Sequence, residues 1–130
     1  MNKQNTKALL ETYPKIFRQH TLPMTQTAMC WLFECGDGWY KLLDELCDNI
    51  QNHIDKNNLA QVEATQVKEK WGTLRFYTNG SDDYVYDLIS SAEEISGKIC
   101  EICGSKNNVT LEEDEHHWVR TRCNICKKIK

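Results

Sequence analysis

Cys100-Glu101-Ile102-Cys103-Gly104 and, after a spacer, Cys123-Asn124-Ile125-Cys126-Lys127 set two CxxC pairs opposite each other across a gap of hairpin length. Each CxxC turn offers two sulfurs to one metal while its backbone N–H groups point toward them, so four thiolates at this spacing suit a tetrahedral zinc ion. Three other readings compete. A disulfide framework needs an oxidising compartment, and Met1 to Lys7 leads into a polar segment with no apolar signal region. A redox CxxC of thioredoxin type normally stands alone beside a βαβ unit, whereas this chain carries two pairs. An iron–sulfur site would use the same sulfurs. His116 and His117 lie near enough in sequence to replace a thiolate, but four cysteines already fill the shell, which leaves the two imidazoles on a solvated hairpin.

A closed shell of four thiolates leaves no open position for substrate, so the zinc expected at Cys100, Cys103, Cys123 and Cys126 is structural. From about Lys98 onward apolar residues are too few to fold without it. Between the pairs, Val109 to Leu111 and Trp118 to Thr121 read as hairpin strands, joined through the acidic run Glu112-Glu113-Asp114-Glu115. The chain ends on the basic Lys127-Lys128-Ile129-Lys130.

Just ahead of the first pair, Val85, Leu88, Ile89, Ala92, Ile95 and Ile99 recur at helical spacing behind a cap at Ser81 or Asp82. With so little linker, a zinc-ribbon module over residues 98–130 is expected to dock on an α+β domain over residues 1–97. A stronger helix follows Cys35-Gly36-Asp37-Gly38-Trp39, with Asp37 as its expected N-cap. There Trp39, Leu42, Leu43, Leu46, Cys47, Ile50 and Ile54 form the apolar stripe, and Lys56-Asn57-Asn58 ends it. Gln61 to Thr78 switches to β-branched and aromatic residues broken by Gly72, which predicts two antiparallel strands turning between Lys70 and Thr73. Alternation puts Lys68 and Lys70 on one face of the first strand, and Val67, Glu69 and Trp71 on the other. Nearer the start, Thr6 is expected to cap a short helix over Lys7 to Tyr13 that Pro14 ends, and His20 to Thr27 reads as a loop. Met29 to Phe33 reads as either a buried strand or the lead-in to the next helix. The predicted fold is α+β: two main amphipathic helices on a small antiparallel sheet, closed by a C-terminal zinc ribbon.

The combination of Cys35-Gly36-Asp37-Gly38-Trp39, the run Val67-Lys68-Glu69-Lys70-Trp71-Gly72-Thr73-Leu74-Arg75-Phe76-Tyr77, and a helix ending in Cys100-x-x-Cys103-Gly104 resembles a family of small bacteriophage and prophage proteins without an assigned activity. The likeness covers roughly residues 32–126. It implies a phage or prophage origin and a metal-bound tail, and brings no reaction with it.

A net charge of −3 argues against bulk attraction to DNA, RNA or anionic lipid, and no apolar run approaches membrane-spanning length. Seven cysteines without an export signal point to a reducing cytoplasm, with Cys30, Cys35 and Cys47 free, and the resemblance implies that it is the cytoplasm of a bacterial host. No phosphate loop, nucleophile elbow or metal-hydrolase helix is present. The one catalytic alternative is Cys35, activated at a helix N-terminus with His20 or His53 as base, against the commoner buried and inert cysteine. Binding has two candidate surfaces. Lys68, Lys70 and Arg75 beside Trp71 and Tyr77 suit an anionic planar ligand, such as a signalling nucleotide. The competing account puts Trp71, Leu74 and Phe76 in the core and pairs the charges with Glu63 or Glu69. Arg120, Arg122, Lys127, Lys128 and Lys130 around the second CxxC suit nucleic-acid phosphates, against an acidic hairpin tip. A host protein, including components of defence or transcription, is the leading partner expected, since phages carry many small, rigid proteins that block or redirect host factors; nucleic acid or a nucleotide is the alternative.

Overall fold

A computed structural model describes residues 1–128; Ile129 and Lys130, the last of the basic residues named above, lie outside them. The described residues form a mixed α+β fold of three α-helices, a three-stranded sheet and a two-stranded ribbon. Helix α2, Tyr40–Lys56, is its axis, because the stripe read from sequence is the face it buries: Leu43, Cys47 and Ile50 are wholly enclosed, as is Trp39 just before it. A 3-10 turn, Asp37–Trp39, leads into this helix.

Asp37 does not cap α2 as expected. Its carboxylate instead accepts from the backbone N–H of Asn2 (2.7 Å) and from the Asn5 side-chain amide (3.2 Å), at the start of helix α1. Helix α1 spans Lys3–Thr12, four residues ahead of the predicted start, because the Asn2 side chain and not Thr6 takes up an orphan N–H, that of Asn5. A capping carboxylate supplied by the residue thirty-five positions away is a tertiary contact that local pattern does not carry.

Strands β1 (Phe33–Glu34), β2 (Glu63–Lys70) and β3 (Thr73–Asn79) lie in that order. The expected antiparallel sheet holds for β2 and β3, whereas β1 runs parallel to β2, pairing Phe33 with Val67 and Glu34 with Lys68. Parallel neighbours need a long crossover, and α2 is that crossover. Met29 to Phe33 thus resolves into a 3-10 turn, Met29–Trp31, followed by the first residue of β1.

The β2–β3 hairpin turns on Trp71 (φ 56°) and Gly72 (φ 85°), two successive left-handed residues as a two-residue hairpin of this twist requires. Val67, Leu74 and Phe76 point into the core. Trp71 does not join them, since the turn removes it from the strand alternation and leaves it 64% exposed.

Helix α3, Asp83–Ser96, covers the open edge of β3. Its Ser96 hydroxyl accepts from Leu74 N–H (2.9 Å) and its Glu93 carboxylate from Phe76 N–H (2.9 Å), so side chains replace the missing neighbouring strand. This accounts for a departure from the predicted stripe: Ser96 is fully buried while Ile95 is exposed.

Asp82 is the N-cap of α3, accepting from Val85 N–H (2.8 Å), and His53 Nε2 meets its other oxygen at 2.9 Å. The bond to His53, then the one to Val85, holds the Asp82 carboxyl below its usual range. A depressed carboxylate contributes stability that is present above its unfolded value, about 4, and lost as pH falls through the folded one. Asp82→Asn, which keeps a capping oxygen, should therefore melt below the parent at neutral pH, with the gap closing below about pH 4. A gap that does not narrow as the pH is lowered from neutral into the acid range, in parallel thermal melts, would contradict this.

Candidate metal centre and basic hairpin

The four cysteines named from sequence converge. Their Sγ atoms all lie within 4.8 Å of one another, with Cys103 and Cys123 3.7 Å apart and no pair bonded to another. Sulfurs around a tetrahedral zinc with Zn–S near 2.3 Å sit about 3.8 Å apart, a spacing that Cys103 and Cys123 already hold, and the set as a whole is compact enough to close on one such ion.

The ribbon strands β4 (Val109–Glu113) and β5 (Val119–Cys123) deliver Cys123 and Cys126 from one end. The turn after α3 delivers Cys100 and Cys103 from the other. Cys100, Cys123 and Cys126 are buried, and Cys103 is exposed. Burial works against charge on Cys100, yet the N–H groups of Cys103, Cys123 and Ile102 outweigh it and bring the thiol down to about 6. Cys123 is lowered too, first by the N–H of Cys126, which approaches its sulfur at 3.4 Å. Burial and then the neighbouring sulfurs push Cys126 up to about 12. Without a cation, four such sulfurs cannot all ionise; a divalent ion removes the conflict and displaces the protons.

The motifs that flank the core prove to be the seat of this ribbon. Gly36 N–H donates to the Glu101 carboxylate (2.9 Å), Gly38 N–H to the Glu101 carbonyl (2.7 Å), and Trp39 Nε1–H to the Ile99 carbonyl (3.0 Å). A methyl group on either glycine would run into the backbone of Cys100 or Glu101. At the hairpin turn, the Thr121 hydroxyl donates to the Gly72 carbonyl, and a Cβ on Gly72 would meet Val119 at 3.0 Å and Leu111 at 3.2 Å. Cys35-Gly36-Asp37-Gly38-Trp39 and Trp71-Gly72 are thus two sockets for one ribbon, a role no local pattern signalled.

The basic residues separate into two groups. Lys68 stands directly across from Arg75 on the outer face of the sheet, Lys70 lies across from Thr73, and Tyr77 lies across from Gln66. Among the described residues no carboxylate comes within 4.0 Å of Lys68, Lys70 or Arg75. The pairing expected with Glu63 or Glu69 does not occur. Glu63 takes a two-point contact from Arg18 (2.5 and 2.9 Å), and Glu69 accepts from Gly72 N–H (2.7 Å) in the turn.

On the ribbon, by contrast, Arg120 reaches Asp114 (4.0 Å) and lies over the Trp118 ring, and Lys127 pairs with Glu112 at 2.7 Å. Arg122 shares their shallow cleft with Glu112, Glu113 and Asp114. Two of that face's cations are thus neutralised from within, while Arg122 and Lys128 form no ion pair among the described residues. His117 contacts Glu113, and both tip histidines are solvated, well removed from a ligand role.

Cys35 is not an activated thiol. It is buried, and burial followed by the Glu101 charge pushes it up to about 12. The N–H of Gly36, which would have stabilised a thiolate, is held by Glu101. His53, one of its hypothetical bases, is engaged by Asp82 and stacked on Tyr84 with ring centroids 4.1 Å apart.

Fold and cluster together define a small α+β protein whose C-terminal four-cysteine ribbon is compatible with zinc. No helix among the described residues is long and apolar enough to cross a membrane. Comparison with protein-family models, curated proteins and solved structures finds no match.

Proposed function

We propose that this chain is a non-catalytic binding protein of phage type, in which a structural zinc ion stiffens the ribbon, the ribbon braces the β2–β3 hairpin, and the hairpin's basic face holds nucleic acid. One contrast carries the reading: Lys68 and Arg75 oppose each other with no carboxylate within 4.0 Å among the described residues, while Arg120 and Lys127 of the ribbon are paired. Like charges directly across a strand pair destabilise a bare sheet, so an external polyanion is the natural counter-charge. The exposed Trp71 and Tyr77 add surfaces on which unpaired bases stack.

In a bacterial cytoplasm such a protein would compete with host factors for nucleic acid and so modulate defence or transcription. Capture of a signalling nucleotide is the small-ligand form of the same chemistry. A host protein docked on the exposed aromatic residues is the alternative partner.

Fluorescence anisotropy with a labelled single-stranded oligonucleotide tests this. Three cations on phosphates predict a slope of log affinity against log salt of about −2. Lys70→Ala should leave the fold intact and reduce the slope by about 0.7, and Lys68→Glu should abolish binding. The pair Arg120→Glu and Lys127→Glu should change little. Affinity insensitive to salt, or lost only in the ribbon variants, would overturn the sheet-face reading; a chain that ignores nucleic acid yet retains a host protein would replace it with the protein alternative.

A further inference from the structure

Arg75 Nε is the one side-chain nitrogen or oxygen among the described residues that is buried without a hydrogen-bond partner. That nitrogen has no surface of its own for an outside group to touch, so an acceptor outside the protein must meet the terminal Nη groups of the same guanidinium, which form no ion pair among the described residues. Its setting narrows what that acceptor is. Lys68 faces Arg75 across the strands, both half-buried, and Lys70 follows Lys68 on the same face. Two residues along β3 from Arg75, and therefore on its face, Tyr77 is 43% exposed. Glu34 is the register partner of Lys68 on β1, yet its carboxylate forms no ion pair with either cation among the described residues.

From this juxtaposition we infer a phosphate subsite: Arg75 presents the terminal Nη groups of its guanidinium to one phosphate of a single-stranded nucleic acid, Lys68 supplies the second charge, and Tyr77 stacks the adjoining base. The inference rests on the sheet-face reading above and deepens it. A phosphate suits the site better than a carboxylate, because two half-buried cations brought face to face call for a polyanion and the planar fork of arginine matches two phosphate oxygens. A single strand suits it better than a duplex, because only unstacked bases can lie on an exposed tyrosine.

The test uses the metal-loaded full chain, a labelled oligothymidylate, a mononucleotide and inorganic phosphate as probes, and the variants Arg75→Lys, Arg75→Met, Lys68→Ala and Tyr77→Ala. Arg75→Lys keeps the charge and loses the fork, so oligonucleotide affinity should fall about tenfold. Arg75→Met should lose binding and yet melt about 3–6 °C higher without ligand, because the orphaned donor and the like-charge contact are both gone. Tyr77→Ala should weaken the oligonucleotide and spare inorganic phosphate.

Mononucleotide binding as tight as the oligomer's would keep the subsite and overturn its assignment to a strand. Arg75→Lys binding like the parent, or Arg75→Met melting lower, would overturn the subsite; continued weakening by Lys68→Ala would then leave the sheet-face reading standing. A parent chain that binds none of the probes would remove both.

Discussion

Cys103→Ser should release the metal and unfold the ribbon in one step. Bound zinc contributes on the order of 10 kcal/mol to folding in modules of this type, and three thiolates with a weakly binding hydroxyl keep only part of it. The ribbon has little else to hold it, since its buried cluster is Cys100, Cys123 and Cys126 with Val109 packed against them. Loss should spread inward, because Ile99 to Glu101 carry three of the hydrogen bonds that seat the ribbon on Gly36, Gly38 and Trp39. The expected result is under one zinc per two chains, poor solubility, and a melt that drops by more than 10 °C. Chelation of the parent should reproduce it.

Cys47→Ala provides the control. Cys47 is equally buried, but in the main core, so its loss should cost about 1–2 kcal/mol and no metal. A Cys103→Ser chain that still binds one zinc and melts with the parent would show that the four sulfurs do not act as one site.

The parts of this fold that sequence made legible are those whose physics is local. A CxxC turn places its own two sulfurs, and α2 repeats its apolar residues every three or four positions, so both could be read without knowing what they touch. The β2–β3 hairpin announced itself through Gly72, because only a left-handed turn joins strands so closely. Long-range choices were not legible. Two residues of β1 carry no period, and their parallel pairing depends on where α2 returns the chain. Asp37 had the look of a cap for the helix that follows it and serves the one that precedes it. Trp71 seemed apolar enough for the core, but a turn residue with φ 56° cannot keep the strand's alternation. At the basic face, the residue types were visible and the absence of carboxylate partners among the described residues was not, since Glu63 and Glu69 were both near in sequence and both engaged elsewhere.

Gly38→Ala should undock the ribbon while leaving its metal in place. The added Cβ would sit 2.6 Å from the Glu101 carbonyl carbon and closer still to the Cys100 carbonyl oxygen, and backbone on both sides leaves no flexible side chain to yield. Relief requires the Cys100–Glu101 segment to move away, which breaks the Gly38 N–H bond to Glu101 and draws the Ile99 carbonyl off Trp39 Nε1. Overpacking of this sort costs about 1–3 kcal/mol, and the buried donors left unpaired add a comparable amount. Because all four sulfurs belong to the ribbon and its entry turn, zinc should still bind at one per chain. Amide exchange should accelerate at Gly36 and Gly38, whose N–H groups donate to Glu101, and Trp39 fluorescence should shift toward that of a solvated indole. Gly97→Ala isolates the effect, since that glycine has ordinary helical geometry and its nearest neighbour would lie 3.5 Å from the new methyl; it should be neutral or slightly stabilising. If Gly38→Ala left exchange and melting unchanged, the seat assigned to the Gly36-Asp37-Gly38-Trp39 motif would be wrong. The brace on the β2–β3 hairpin would then have to come from Thr121 and Gly72 alone.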